Sequence, residues 1–101
     1  MTTGSGKEVL LAPRAKSDLK KLVNYLGEKF GWASAAKFVD HLERTSQHLA
    51  DHPEIGMRID ARNRRYRIDR HSYLIYSITL NGIIVKAIKS FKQQREPFGP
   101  E

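Results

Sequence analysis

The sequence predicts an α+β domain in which a helical hairpin packs on a small antiparallel sheet, in the order β-α-α-β-β-β. Three observations predict it. Two successive stretches between Ala15 and Leu49 carry apolar residues at spacings of three and four, the mark of amphipathic helices. The apolar period falls to two from Tyr66 onward, the mark of strands. Two buried helical stripes also need an apolar surface to cover, and one face of a sheet supplies it.

Each element follows from its residues. Val9-Leu10-Leu11 is a short apolar run ending at Ala12-Pro13, which fits a strand followed by a helix with proline as its first residue. Ala15, Leu19, Leu22, Val23, Leu26 and Phe30 then form one stripe, with Lys16, Asp18, Lys20, Lys21 and Glu28 filling the gaps, until Gly31 ends it. Trp32 reads as a hinge-packing residue between the helices and Ser34 as the cap of the second. Ala35, Phe38, Val39, Leu42, Thr45 and Leu49 repeat the period until Pro53 forbids continuation. Beyond it, Tyr66 and Ile68 alternate with Arg65, Arg67 and Asp69, so if the first pair faces the helices the arginines face away. Tyr73 to Leu80 is aromatic and β-branched, with Tyr73 and Tyr76 on opposite faces; Asn81-Gly82 reads as a two-residue hairpin turn, and Ile83 to Phe91 returns.

Composition bounds the function. One hundred and one residues allow one domain with a core of its own. Residues 1–6 are small and polar and read as a flexible leader or expression remnant, leaving residues 7–101 as the domain. The absence of cysteine excludes disulfides and thiolate metal sites. No apolar run approaches the ~20 residues of a membrane span, so the expectation is a cytoplasmic protein with no membrane partner. His41, His48 and His52 lie seven and four apart, but no carboxylate clearly converges on them, and neither a metal nor a cofactor is expected.

Charge is the feature that points to partners. The formal net charge is +7, and residues 58–95 hold ten Lys/Arg against two Asp/Glu. Arg58, Arg62, Arg64, Arg65, Arg67 and Arg70 crowd the start of that half. A local basic excess of this kind either solvates an edge strand or forms a binding face for nucleic acid or an acidic protein, and its asymmetry favours the face.

Four segments together carry a family resemblance: APRAKSDLKKLVNYL, AAKFVDHLERTSQHLADHPEIG, RRYRIDRHSYLIYSI and the ending FKQQREP. In this order they resemble the RelE/ParE superfamily of type II toxin–antitoxin toxins, which includes plasmid stabilisation proteins, over about Leu11 to Pro97. The resemblance implies the β-α-α-β-β-β fold, no cofactor, and a cognate antitoxin as partner in a homodimer or toxin–antitoxin hetero-oligomer. ParE-like members inhibit DNA gyrase, whereas RelE-like members cleave mRNA on the ribosome without a metal. Cleavage requires a 2′-hydroxyl to lose its proton while the phosphate gains charge. If this chain were such a ribonuclease, Arg67, His71, Lys89 and Arg95 would be its catalytic candidates. RelE-like enzymes usually carry a tyrosine or histidine near the C-terminus, and beyond Tyr76 this chain has neither. Its ending is closer to the ParE-like FxxRQxP pattern, with Gln94 and Arg95 where that pattern has Arg then Gln. The reading is therefore ParE-like, with Arg62, Arg64, Arg65, Arg67, Arg70, Lys92 and Arg95 as target-binding residues and DNA gyrase as target. The alternatives are a ribosome-dependent mRNA interferase, and a non-toxic paralogue or nucleic-acid-binding module of the same fold.

Overall fold

Proline and glycine set the helix ends. In the computed structural model, which describes residues 7–91, β1 (Glu8–Leu11) leads into α1 (Pro13–Phe30) and α2 (Trp32–Asp51). Pro13 takes the first helical position, where its missing N–H has no intrahelical partner to lose. Gly31 joins the helices at φ 96°, a backbone conformation that a side chain disfavours. Its carbonyl accepts the amides of Ser34 at 3.1 Å and Ala35 at 3.4 Å. The cap of α2 is thus Gly31 and not Ser34, whose hydroxyl donates back to the Phe30 carbonyl at 3.3 Å. Trp32 does pack at the hinge, its ring lying where a Cβ on Gly27 would be.

Four more strands follow: β2 (Met57–Arg58), β3 (Asn63–Asp69), β4 (Ser72–Ile78) and β5 (Gly82–Ser90). The spatial order is β1-β5-β4-β3-β2. β2 through β5 form the expected antiparallel meander, extended by the two-residue β2. β1 pairs with β5 in parallel, so the sheet is mixed and not wholly antiparallel. The reason is topological: β1 covers the β5 edge that a meander leaves open, and its exit into α1 sets its direction. Past the end of β1, the Asp18 carboxylate on α1 takes over that edge by accepting the Ile88 amide at 3.0 Å.

The parallel pairing also moves the hairpin turn. Glu8 donates its amide to the Asn81 carbonyl at 2.9 Å, and its backbone comes so near Gly82 that a Cβ there would overlap it. Gly82 is therefore the first residue of β5, without a positive φ, and the turn centres on Leu80 and Asn81, closed by the Thr79 amide on the Gly82 carbonyl at 2.8 Å.

One face of the sheet takes the helices. Ala15, Leu22, Phe38, Leu42 and Leu49 pack with Ile68, Leu74, Tyr76, Ile83, Val85 and Ile88, and Tyr66 is partly buried against them. Val85 and Ile88 share this face despite odd spacing, because Ile75 pairs with Ala87 while Tyr76 pairs with Val85, leaving Lys86 as a bulged extra residue. The buried Tyr76 hydroxyl donates to the Pro53 carbonyl at 2.7 Å and accepts the Gly56 amide at 2.9 Å. It anchors the chain leaving α2, and burial holds its pKa above the usual phenol value.

Candidate functional site

The face turned away from the helices is built row by row, since directly paired residues on neighbouring strands point the same way. One row is Arg67, Tyr73 and Lys89; the next on this face is Arg65, Ile75 and Ala87; a third is Asn63, Ser77 and Ile84. The intervening rows, Tyr66-Leu74-Ile88 and Arg64-Tyr76-Val85, belong to the helix side. Consecutive arginines therefore do different work. The Arg64 guanidinium turns to the chain after α2 and donates from Nη1 to the carbonyls of Glu54 and Gly56, both at 2.9 Å. Together with Tyr76 it ties down residues 53–56, a scaffold role at a position the sequence suggests for target binding.

Arg65 and Arg67 sit on top of aromatic rings. Tyr73 and Phe91 lie with ring centroids 4.8 Å apart. The Arg65 Cζ is 5.8 Å from the Tyr73 centroid and the Arg67 Cζ is 5.6 Å from that of Phe91. The four side chains form a cluster in which the guanidiniums are exposed and Tyr73, although on the helix-free face, is only 6% exposed. Tyr73 thus offers no open ring to a stacking base. What the face presents is two cations held on a ring platform, each contact contributing about 0.5–1 kcal/mol at an exposed site.

Phe91 is the residue that sequence reasoning missed as part of the site. It reads as the start of a tail, yet its period-two relation to Lys89 already places it on the same side. Its amide donates to the His71 carbonyl at 2.8 Å, so the end of β5 is tied to the β3–β4 turn. That turn is set by Asp69, whose Oδ1 accepts both the His71 amide and the Ser72 hydroxyl at 2.8 Å. Arg67, Lys89 and His71 consequently gather at one end of the sheet, with Arg65 one row along. Arg70 is exposed in the same turn. Arg62 lies beyond the other end of β3, eight residues or about 26 Å of strand from Arg70. Lys92 and Arg95 fall outside the described residues.

At the Arg62 end, Asp60 organises the chain before β3. Its Oδ1 accepts the amides of Arg62 and Asn63 at 2.8 Å and its Oδ2 accepts Asn63 Nδ2 at 2.9 Å. The Asn63 side-chain bond, then the two amides, hold its carboxyl below the usual pKa, and Lys86 adds to this electrostatically. A cleft of about 550 Å³ opens beside this turn. The histidines make no such centre: His48 and His52 have ring centroids 5.2 Å apart, and among the described residues no group of three His, Cys, Asp or Glu side chains could hold a metal ion. Among those residues, too, no helix is long and apolar enough to cross a membrane.

Comparison with known proteins gives this geometry a family. The family model described as "ParE toxin of type II toxin-antitoxin system, parDE" matches residues 9–95. No curated protein sequence matches the chain. Among solved structures, a chain of the chromosomal ParDE TA system from P. aeruginosa is similar at a TM-score of 0.71 and 15% identity, covering 84% of this chain and 96% of that one. The YoeB-YefM complex from Staphylococcus aureus contains a chain similar at 0.60 and 15% identity, covering 82% and 94%. The E. coli DinJ-YafQ toxin-antitoxin complex contains one similar at 0.51 and 11% identity, covering 87% and 96%. At these identities the structures share the fold.

Proposed function

The chain belongs to the ParE toxin family of type II toxin–antitoxin systems, and from that premise we propose that it arrests bacterial growth by inhibiting DNA gyrase. A cognate antitoxin holds it inactive in the cytoplasm. The observation that carries the gyrase reading is the Arg65-Tyr73-Phe91-Arg67 cluster, a set of fixed cations whose ring partners are engaged in holding them. Tyr76, the other tyrosine of β4, is committed to the scaffold through Pro53 and Gly56. Such a face is suited to gripping an acidic protein or phosphate surface. The test is a supercoiling assay with purified gyrase. Stoichiometric toxin blocks supercoiling or traps cleaved DNA, and mRNA on ribosomes stays intact.

A second reading, a ribosome-dependent mRNA interferase, is favoured by one specific feature. Arg67 and Lys89 flank Tyr73 in a single row, with His71 in the turn at its end. In that reading the two cations stabilise the extra charge on the attacked phosphate and His71 moves a proton. Codon-register cuts in a translation extract, with supercoiling unaffected, would replace the gyrase reading by this one.

A further inference from the structure

We propose that the cleft beside the Asp60 turn is a second site, separate from the arginine–aromatic cluster, that binds a run of adjacent phosphates attached to a base. The source of those phosphates is either a free nucleoside polyphosphate or a single-stranded nucleic acid, and the chemistry required is the same. The inference does not depend on which target the toxin has.

Arg58, Arg62 and Lys86 line the cleft together with Arg64, whose guanidinium is already committed to the Glu54 and Gly56 carbonyls. Among the described residues none of them forms an ion pair; the pairs that do form are Arg14 with Asp18 and Arg44 with Asp40, both within helices. The carboxylate in the cleft wall, Asp60, forms no direct ion pair with them; its oxygens accept three N–H donors from Arg62 and Asn63, and it offsets part of the charge of Lys86 electrostatically. Asp60 also shapes the wall by fixing the backbone from which Arg62 projects. Lys86 is there because the bulge in β5 makes it an extra residue opposite β4.

Unpaired like charges gathered around one concavity repel each other, and a multivalent anion is what relieves that repulsion. Guanidinium forks suit phosphate oxygens, and Lys86 adds a compact point charge. Thr79 also lines the cleft, while Ile78 and Ile84 give it an apolar part that a bare inorganic anion would not use. About 550 Å³ is room for a nucleotide-sized group. Ser77 in this cleft and Tyr73 in the aromatic cluster lie four residues apart on β4, about 13 Å, and on one face. A strand of nucleic acid seated in the cleft can therefore continue to Arg65 and Arg67.

The test is titration at low salt with three probes: ATP, a short single-stranded oligonucleotide, and a glutamate-rich peptide. Arg58 and Lys86 are exposed, so Arg58→Ala with Lys86→Ala tests the cleft in a folded protein, verified by an unchanged melting temperature. Lys20→Ala with Lys37→Ala removes the same charge from exposed helical positions. We expect saturable binding of ATP or the oligonucleotide, at least tenfold weaker in the cleft variant and within twofold of the parent in the helix variant. For the oligonucleotide, the salt slope should fall by about one for each phosphate that the variant no longer neutralises. Tighter binding of ATP than of the oligonucleotide identifies a free nucleotide as the source, and the reverse identifies a strand. No saturable binding of either phosphate probe overturns the proposal, as does an equal loss in both variants. Peptide binding as tight as that of the phosphate probes also overturns it, in favour of an acidic protein segment.

Discussion

Arg64 and Arg65 are neighbours in sequence, and truncating each to alanine should have opposite consequences. Arg64→Ala removes two hydrogen bonds from a charged donor to the carbonyls of Glu54 and Gly56, and leaves one of those carbonyls part-buried. Bonds to charged groups contribute about 1.5–3 kcal/mol each when well shielded. Because the Glu54 bond is exposed, about 2 kcal/mol for the pair is the appropriate figure. For a domain of this size that lowers the melting temperature by roughly 8–16 °C. Arg65→Ala removes one exposed cation–π interaction with Tyr73, under about 1 kcal/mol. Circular dichroism melts of the two variants measure the difference. Growth arrest on induction, measured at a temperature where both are folded, should be relieved by Arg65→Ala combined with Arg67→Ala. A melting point for Arg64→Ala within about 2 °C of the parent, or a larger drop for Arg65→Ala, would refute the assignment of these arginines to opposite faces.

Three further outcomes follow from the same contacts. Tyr76→Phe strips the Gly56 amide and Pro53 carbonyl of their partner and should cost about 1–3 kcal/mol in urea unfolding; it should also flatten the alkaline limb of stability. That sign follows from a phenol pKa raised by burial, whose stabilisation is complete below pH ~10 and is lost as pH climbs toward the folded value. Gly82→Ala places a methyl against the Glu8 backbone and should destabilise by about 1–3 kcal/mol, with faster amide exchange in residues 8–11 as the specific readout. Asp60→Asn should remove stability that the parent has above the ordinary carboxylate pKa and loses as pH falls through the lowered folded value, so the two acid titrations should converge below pH ~3.8.

The helices were legible because their signal is local. Each stripe repeats within its own segment, and Pro13, Gly31 and Pro53 mark the ends by backbone chemistry that needs no tertiary partner. The meander was legible for the same reason, through the two-residue period of Tyr66 to Ile68 and the aromatic run of β4. What stayed hidden depends on distant chain. The parallel docking of β1 beside β5 joins residues more than seventy positions apart, and it alone explains why Gly82 is needed as a strand residue and not as a turn residue. The bulge at Lys86 is equally silent, since nothing in the run Ile83 to Ile88 marks which residue is extra. Arg64 was indistinguishable from its neighbours by composition, because the carbonyls that claim it belong to the turn after α2. Phe91 gained its place only once Tyr73 was seen beside it.

Under the proposed function, the run Arg64-Arg65-Tyr66-Arg67 would serve stability and recognition in one strand. Alternation sends Tyr66 into the core and Arg65 and Arg67 to the open face, while Arg64 takes the helix side at the end of the core, where backbone carbonyls and not apolar side chains wait for it. An exposed arginine ordinarily has ~2 kcal/mol of rotamer entropy to lose on binding. Resting on Tyr73 and Phe91, Arg65 and Arg67 have already lost part of it during folding, so less remains to oppose association. Of the two rings beneath them, Tyr73 is only 6% exposed although it faces the helix-free side of the sheet. The +7 net charge draws partners from a distance and weakens with salt. In the proposed reading, the arginine–aromatic contacts would act at short range and set the geometry with which a partner is gripped. A basic composition alone would give attraction without orientation, and it is the alternation of arginine with aromatic residues across β3, β4 and the end of β5 that supplies the second.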